Sequence, residues 1–303
     1  MIRDGREQRI GSRYLPRIIF AVASVFFVLL AIISWNIVTA LPDARTSFVI
    51  VSDPVRVLSW DETRGHLTII PLPADVRIDG VFGVGSLPLA SLRTLESLDT
   101  KKKGVFAASL EEVLALPIAG VVNNGTQDAT RVLSPFVLSS WWDSGLSLPL
   151  RFRLWWIFVG LRPDAVTTVD LGSQGVFRAD LLADGSRVRV FDINRYDAVI
   201  GSRLEVDPVR REELRVRVVN TTDVVGLGSR AARMLNHAGM VVVAVENASP
   251  VQRECTLHVN KDLWESHSVQ FIRSTFSCVV TAGDLDERAD VMVRLGLQYA
   301  KKY

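Results

Sequence analysis

The pattern of hydrophobic and polar positions divides the chain into one long apolar run near the N-terminus and many short runs after it. Residues 18–41 form 24 positions without a charge, and at a rise of about 1.5 Å per residue they are long enough to cross a bilayer core of about 30 Å. A cleaved signal peptide is the alternative, but the apolar part of a signal peptide usually has only about 7–15 residues. We therefore expect a retained transmembrane helix.

The charges beside this run predict its orientation. Residues 1–17 carry five arginines and two acids, and the positive-inside rule places such a flank in the cytoplasm. We therefore expect a single-pass membrane protein with a cytoplasmic N-terminus, whose remaining chain, residues 42–303, lies outside the cytoplasm.

A complete βαβ unit occupies residues 214–247. The run 214–220 predicts a strand, and the apolar positions of residues 227–238 fall on one helical stripe. The other side of this helix holds three basic residues, Arg230, Arg233 and His237. Gly239 is placed to end the helix, and the near-continuous apolar run 240–245 is typical of a buried parallel strand. Residues 209–303 continue with predicted elements in the order strand, helix, strand, strand, at 255–259, 266–276, 278–281 and 289–295.

Residues 42–208 are predicted to form a separate, mixed α and β domain, because residues 207–213 combine a proline with dense charge between apolar runs. Two β-type runs, 47–59 and 66–72, are joined by a polar turn and predict a hairpin. Helices are predicted at 86–98 and 109–116, and strands at 165–171 and 187–191. The fold class is thus mixed α/β: a transmembrane helix, a mixed α/β domain, and a small C-terminal α/β sandwich of order βαβ-β-α-β-β.

Residues 134–161 contain four of the seven tryptophans, and their last apolar run, 154–161, is too short to span a bilayer. This composition favours a buried aromatic helix. The alternative is a segment that lies on the outer membrane surface, with its tryptophans at headgroup level.

The charge balance excludes a nucleic-acid-binding protein. The whole chain has a net charge of +2, and without residues 1–17 it holds 30 basic and 31 acidic residues. Phosphate backbones require a clustered basic face, which a nearly neutral chain of this kind does not indicate.

The two cysteines, Cys255 and Cys278, each begin a short apolar run. In an oxidising compartment, thiols at the ends of neighbouring strands can form a disulfide if their Cα atoms lie within about 7 Å. A pair of buried free thiols is the alternative reading.

No cofactor or metal site is indicated. Gly226, Gly228 and Ala231 match the form of a dinucleotide-binding loop, but residues 221–225 separate the first glycine from the strand that should precede it directly. The four histidines have no metal-ligand spacing, and no nucleophile motif of a hydrolase occurs.

Residues 216–247 resemble the C-terminal domain of LytR-type proteins in the LytR-CpsA-Psr group, and residues 289–296 resemble that domain's closing strand. The likeness covers residues 213–303. The preceding domain is similar, more weakly, to the catalytic domain of the same group, whose strand, turn and strand end in a Pro-Arg-Asp signature. Here the corresponding residues are Pro73, Ala74 and Asp75.

The resemblance implies a function in the cell envelope. Members of the group use arginines and acids to hold a polyprenyl-linked pyrophosphate and its divalent metal while they transfer a glycan to the wall. Ala74 replaces the signature arginine, and the later Arg-Gln-Gln segment is missing, so the phosphate charge has no bidentate cation. We therefore expect a non-catalytic binding or scaffolding protein whose partners are the membrane and a cell-wall glycopolymer or an envelope protein.

Two alternatives remain at this point. In an active phosphotransferase that attaches polyprenyl-pyrophosphate-linked glycopolymers to the wall, Asp53 and Asp75 would be the acids on the Mg²⁺ side, and Arg77 would clamp the phosphate. The second alternative is a membrane-tethered sensor. A convergence of these three side chains on an apolar tunnel would favour the transferase.

Overall fold

The computed structural model describes residues 45–99, 104–123, 148–283, 285 and 288–301, together with residues 20, 24, 27 and 28. The predicted membrane span, residues 18–41, lies outside this part of the chain apart from those last four positions, and so does the predicted cytoplasmic segment, residues 1–17. Within the described residues, no helix combines the length and the apolar character that are needed to cross a bilayer. The span and its orientation therefore stay predictions.

The first domain is built on a five-stranded sheet with three antiparallel strands at its centre. In the order β6-β1-β2-β3-β7, its strands are β1 (Arg45–Val51), β2 (Val55–Asp61), β3 (His66–Leu72), β6 (Val121–Asn123) and β7 (Val166–Thr168). The prediction of one strand over 47–59 is wrong, because Ser52, Asp53 and Pro54 form a turn between β1 and β2. Proline offers no N–H to a strand ladder, and serine and aspartate favour turns.

A second sheet of this domain has the order β5-β4-β9-β8 and consists of β4 (Val76–Gly80), β5 (Gly85–Pro88), β8 (Phe177–Leu181) and β9 (Arg187–Phe191). The helices are α1 (Leu89–Leu98), α2 (Val105–Leu114), α3 (Leu148–Gly160) and α4 (Ile193–Ile200), with 3₁₀ turns at Pro163–Ala165 and Gly201–Leu204.

The helices that were predicted at 86–98 and 109–116 begin at other residues. The helix expected from residue 86 begins at Leu89, because residues 85–88 pair with β4. The helix expected from Ser109 begins at Val105. Ser109 lies buried inside it, and its hydroxyl donates to the carbonyl oxygen of Val105 at 2.7 Å and accepts from the amide of Val81 at 3.1 Å.

Hydrophobic clusters cover both faces of the five-stranded sheet. On one face, Phe48 and Leu67 pack with Leu154 and Phe158 of α3. The other face, which includes Val57, packs with α1, α2, α4 and the second sheet. Leu154 is fully buried and Phe158 is 7% exposed, whereas Val159 is 56% exposed. The predicted burial of this helix is therefore confirmed for Leu154 and Phe158 and wrong for Val159. Residues 134–147 lie outside the described part of the chain.

The C-terminal domain contains a five-stranded sheet of order β11-β10-β14-β12-β13. Its strands are β10 (Arg215–Asn220), β11 (Val241–Asn247), β12 (Thr256–Val259), β13 (Val279–Ala282) and β14 (Val291–Leu295). From residue 207 onward the helices are α5 (Asp207–Glu212), α6 (Leu227–Ala238), α7 (His267–Phe276) and α8 (Leu297–Ala300), with a 3₁₀ turn at Lys261–Leu263. The predicted order βαβ-β-α-β-β is confirmed, and β10 and β11 pair in parallel as expected. The predicted burial of the run 240–245 is wrong for Val241, Val243 and Val245, which are 43–50% exposed because β11 lies at the edge of the sheet.

Helices α6 and α7 pack into one hydrophobic core with a single face of this sheet. Two further contacts hold them in place. Glu212 caps α7, since its two carboxylate oxygens accept from the amides of His267 and Ser268 at 2.7 and 2.8 Å. Gly228 lets α6 lie close to β11, because a Cβ atom at this position would be 2.9 Å from Cγ1 of Val245. Gly228 of the formal dinucleotide pattern thus serves helix packing.

Candidate functional site

The residues considered for a transferase site contact different neighbours. Oδ2 of Asp75 lies 3.1 Å from Nε of Arg189 in β9, and both side chains are more than half exposed. Arg77 donates through Nη2 to the carbonyl oxygen of Ser86 in β5. Because β9 and β5 flank β4 on opposite sides, these two contacts diverge. Asp53 lies in the exposed turn between β1 and β2, where its side chain has no hydrogen-bond partner among the described residues.

Ala74 leaves this region without a cation at the position of the signature arginine. Its carbonyl oxygen accepts from the amide of Ala90 at 3.0 Å and ties the segment to α1. The sequence did not single out Arg189, because its place beside Asp75 depends on the parallel pairing of Val76 with Arg189 across β4 and β9. No local pattern encodes that pairing. Among the described residues, no three His, Cys, Asp or Glu side chains gather as a metal-binding group.

A polar cleft of about 540 Å³ opens beside β7, and small-ligand sites typically have about 300–1,000 Å³. Its polar walls come from the β2–β3 turn, from β7 and the loop after it, and from the 3₁₀ turn before the domain boundary; they include Arg64, His66, Thr168, Asp170, Gln174 and Arg203. Nε2 of His66 lies 2.8 Å from the hydroxyl of Thr167 and links β3 to β7. Because these residues are far apart in the chain, no linear motif predicted the cleft.

The basic side of α6 contacts the first domain. Arg233 donates through Nε and Nη2 to the carboxylate of Asp197 in α4, with nearest distances of 2.7 Å for both nitrogens. Its Nη1 and Nη2 also donate to the carbonyl oxygens of Glu112 and Val113 at 2.7 Å each. These carbonyls belong to the last turn of α2, where that of Glu112 also accepts from the amide of Ala115 at 3.3 Å. Nε2 of His237 lies 3.1 Å from Asp197.

The charges at this junction change the acidity of two carboxyl groups. Burial acts to raise the pKa of Asp197, but hydrogen bonds from His237 and Arg233 and their charges lower it on balance. For Glu112 the balance is the reverse: burial raises its pKa although Nε of Arg230 lies 2.7 Å from its carboxylate.

A second set of ion pairs holds the segment that leads into the C-terminal domain. The side chain of Arg45 is almost completely buried, and its Nη2 lies 2.8 Å from Asp61 and 3.2 Å from the carbonyl oxygen of Glu205. Arg64 pairs with Asp207 at the start of α5. The polar end of the first sheet therefore contacts Glu205 and Asp207 directly.

Cys255 and Cys278 lie side by side at the starts of β12 and β13. Their sulfur atoms are 1.93 Å apart, their Cα atoms are 4.4 Å apart, and the pair closes a loop with a sequence separation of 23 residues. Both residues are at least 96% buried, and the bond joins the edge strand β13 to the rest of the sheet.

The comparison with protein families matches residues 213–299 to the C-terminal domain described as "LytR cell envelope-related transcriptional attenuator". This match confirms the resemblance that the sequence predicted for the C-terminal domain. No curated protein sequence matches the chain significantly.

Several solved structures show weak similarity. The transcriptional regulator yvhJ from Bacillus subtilis is 10% identical, with a TM-score of 0.38 over 52% of this chain and 94% of that one. B. subtilis TagT is 11% identical, with a TM-score of 0.38 over 52% of this chain and 89% of that one. A transcriptional regulator from Enterococcus faecalis is 10% identical, with a TM-score of 0.39 over 68% of this chain and 91% of that one. Similarity at this level carries no conclusion about the chemistry of the first domain.

Proposed function

We propose that this chain is a cell-envelope protein that binds a glycopolymer of the wall and does not transfer it. The family match of residues 213–299 supports a role in the envelope. In this proposal residues 18–41 anchor the protein in the membrane, residues 1–17 lie in the cytoplasm, and both α/β domains lie outside it.

The proposal that the protein is not catalytic rests on the partners of the two arginines near Ala74, Arg77 and Arg189. A pyrophosphate needs several directed N–H donors to offset its charge. Arg77 is bound to the carbonyl oxygen of Ser86, and Arg189 is bound to Asp75. The two guanidinium groups therefore contact partners in different segments, one in β5 and the other directly before β4.

The alternative of a phosphotransferase is favoured by one observation. The ion pair of Asp75 with Arg189 brings a guanidinium next to the acid of the former signature, at 3.1 Å. If Arg189 replaced the missing arginine, Asp75 and Asp53 would hold the divalent metal.

One experiment separates the two functions. Full-length protein in detergent is incubated with purified wall material, and co-sedimentation is measured; in parallel, a polyprenyl-pyrophosphate-linked glycan is supplied with Mg²⁺, and glycan transfer is measured. We expect binding without transfer, and unchanged binding for Arg77→Gln and Arg189→Gln. Arg253→Gln is the matched control, because Arg253 is exposed in the other domain and its side chain has no partner among the described residues.

Mg²⁺-dependent transfer that Asp75→Asn and Arg189→Gln abolish would replace the binding function with the phosphotransferase. If the wild-type protein neither sediments with wall material nor transfers the glycan, the proposal of a wall-binding protein is wrong.

A further inference from the structure

The polar cleft beside β7 contains side chains whose hydrogen-bonding capacity is unused. Arg203, Gln174 and Thr168 line the cleft, and among the described residues their side chains have no hydrogen-bond or ion-pair partner. A guanidinium, an amide and a hydroxyl together offer several donors and two acceptors. These groups are exposed, so water satisfies them until a ligand replaces it.

The cleft offers one guanidinium to an anionic ligand, although its wall also carries the carboxylate of Asp170. Arg64 is already paired with Asp207 and lies 3.9 Å from Asp61. The acid on the wall, Asp170, uses its Oδ1 to accept from the amides of Gly172 and Ser173 at 2.9 and 3.3 Å. Arg203 is therefore the cation of this wall whose charge is available to a ligand.

We propose that this cleft binds a hydroxyl-rich ligand with one phosphate or carboxylate group, the anion on Arg203 and the hydroxyls on Thr168 and Gln174. A planar guanidinium binds either anion through two parallel hydrogen bonds. The cleft of about 540 Å³ lies within the volume range of small-ligand sites. The proposed source of the ligand, a wall polymer, rests on the proposed function. The site itself rests on the residues that line the cleft.

The cleft is separate from the region around Asp75. His66 begins β3 and lines the cleft, whereas Asp75 follows the other end of that strand. A strand of this length covers about 20 Å. A variant in the cleft therefore leaves Asp75, Arg77 and Arg189 unchanged.

The test measures the affinity of the full-length protein in detergent for three small probes by calorimetric titration. The probes are glucose 1-phosphate, glucuronate and glucose, which share the hydroxyls and differ in the anion. We expect both anionic probes to bind at least about tenfold more tightly than glucose, because hydrogen bonds to charged groups are the stronger ones.

Two variants assign the two kinds of contact. Arg203→Gln is expected to weaken both anionic probes by about tenfold and to leave glucose unchanged. Thr168→Val keeps the shape of the residue and its preference for a strand, and it is expected to weaken all three probes by a similar factor of about threefold. Arg253→Gln removes the same charge in the other domain and is expected to change none of them.

Four outcomes overturn the proposal: no binding of any probe to the wild-type protein, equal affinity for glucose and the anionic probes, anionic probes that bind Arg203→Gln as tightly as the wild type, or wall material that sediments equally with the wild type and Arg203→Gln. Circular dichroism of each variant shows that its fold is intact. If the wild-type protein sediments with wall material and Arg203→Gln does so equally, the cleft is the wrong site and the proposed function survives. If the probes bind as expected but wall material does not, the cleft stands and the proposed function fails.

Discussion

Arg233 of the C-terminal domain and Asp197 of the first domain form a two-pronged ion pair, with Nε–Oδ2 and Nη2–Oδ1 distances of 2.7 Å each. The same guanidinium donates to the carbonyl oxygens of Glu112 and Val113 at the end of α2. One side chain thus holds two helices of the neighbouring domain. The domains are joined by directed polar contacts as well as by the chain itself.

Replacing Arg233 by methionine tests the strength of this junction. Methionine keeps the helix propensity and much of the volume, but it removes the guanidinium from Asp197 and from the carbonyl oxygens of Glu112 and Val113, while His237 stays beside Asp197. We expect the free energy of unfolding to fall by about 2 kcal/mol, which is less than for a fully buried pair because Asp197 is partly exposed. Urea unfolding of residues 42–303 measures the change. Arg253→Met, the matched control, is expected to change it by no more than about 0.5 kcal/mol.

The ion pair also predicts a pH dependence of stability. The pKa of Asp197 is lower in the folded protein than its ordinary value, on balance of burial, which raises it, and His237 and Arg233, which lower it. A group of this kind contributes its full stability above its unfolded pKa of about 4, and the contribution is lost as the pH falls through the folded pKa. The difference in unfolding free energy between wild type and Asp197→Asn should therefore shrink as the pH falls below the unfolded pKa of about 4. A difference that stays constant below that pH would contradict the prediction.

The disulfide is expected to stabilise the C-terminal domain. It closes a loop with a separation of 23 residues, for which the loss of chain entropy in the unfolded state corresponds to about 3 kcal/mol. Unfolding with and without reductant measures this contribution. The double variant Cys255→Ala, Cys278→Ala should have the stability of the reduced wild type and should not respond to reductant.

Gly239 and Gly226 flank α6 and allow a comparison of backbone strain with steric overlap. Both have positive φ angles, +106° and +79°, but a Cβ atom at Gly239 would lie 2.9 Å from Cβ of Arg210, whereas nothing lies within 4 Å at Gly226. Gly226→Ala is therefore expected to cost about 1 kcal/mol from strain alone. Gly239→Ala should cost about 3 kcal/mol, because overlap is added to strain. Thermal unfolding of the two variants checks the order, and equal melting temperatures would show that α5 moves aside freely.

The accuracy of sequence-based prediction in this chain follows how local each signal is. Helix α6 was predicted with its correct bounds, because an apolar stripe and Gly239 lie within the helix and at its end. The start of α2 was missed, because Ser109 has the composition of a cap but is held inside the helix by Val105 and Val81. Asp53 and Pro54 are turn residues and mark the break between β1 and β2. The apolar residues on both sides made the run 47–59 resemble a single strand.

The candidate sites depended almost entirely on contacts distant in sequence. The lining of the polar cleft comes from segments more than 100 residues apart, between Arg64 and Arg203. Arg189 meets Asp75 only through the parallel pairing of β4 and β9. Neither arrangement produces a recognisable spacing of residues along the sequence.

The sequence alone determined the element order of the C-terminal domain and its family resemblance, since both depend on apolar periodicity, turn residues and neighbouring positions. For α6 it also showed which side is polar, with Arg230, Arg233 and His237 on it. Whether that side faces water or another domain was decided by the tertiary structure, because a guanidinium is equally compatible with solvent and with a carboxylate. Only the folded chain brings Asp197 and the end of α2 within hydrogen-bonding distance of Arg233.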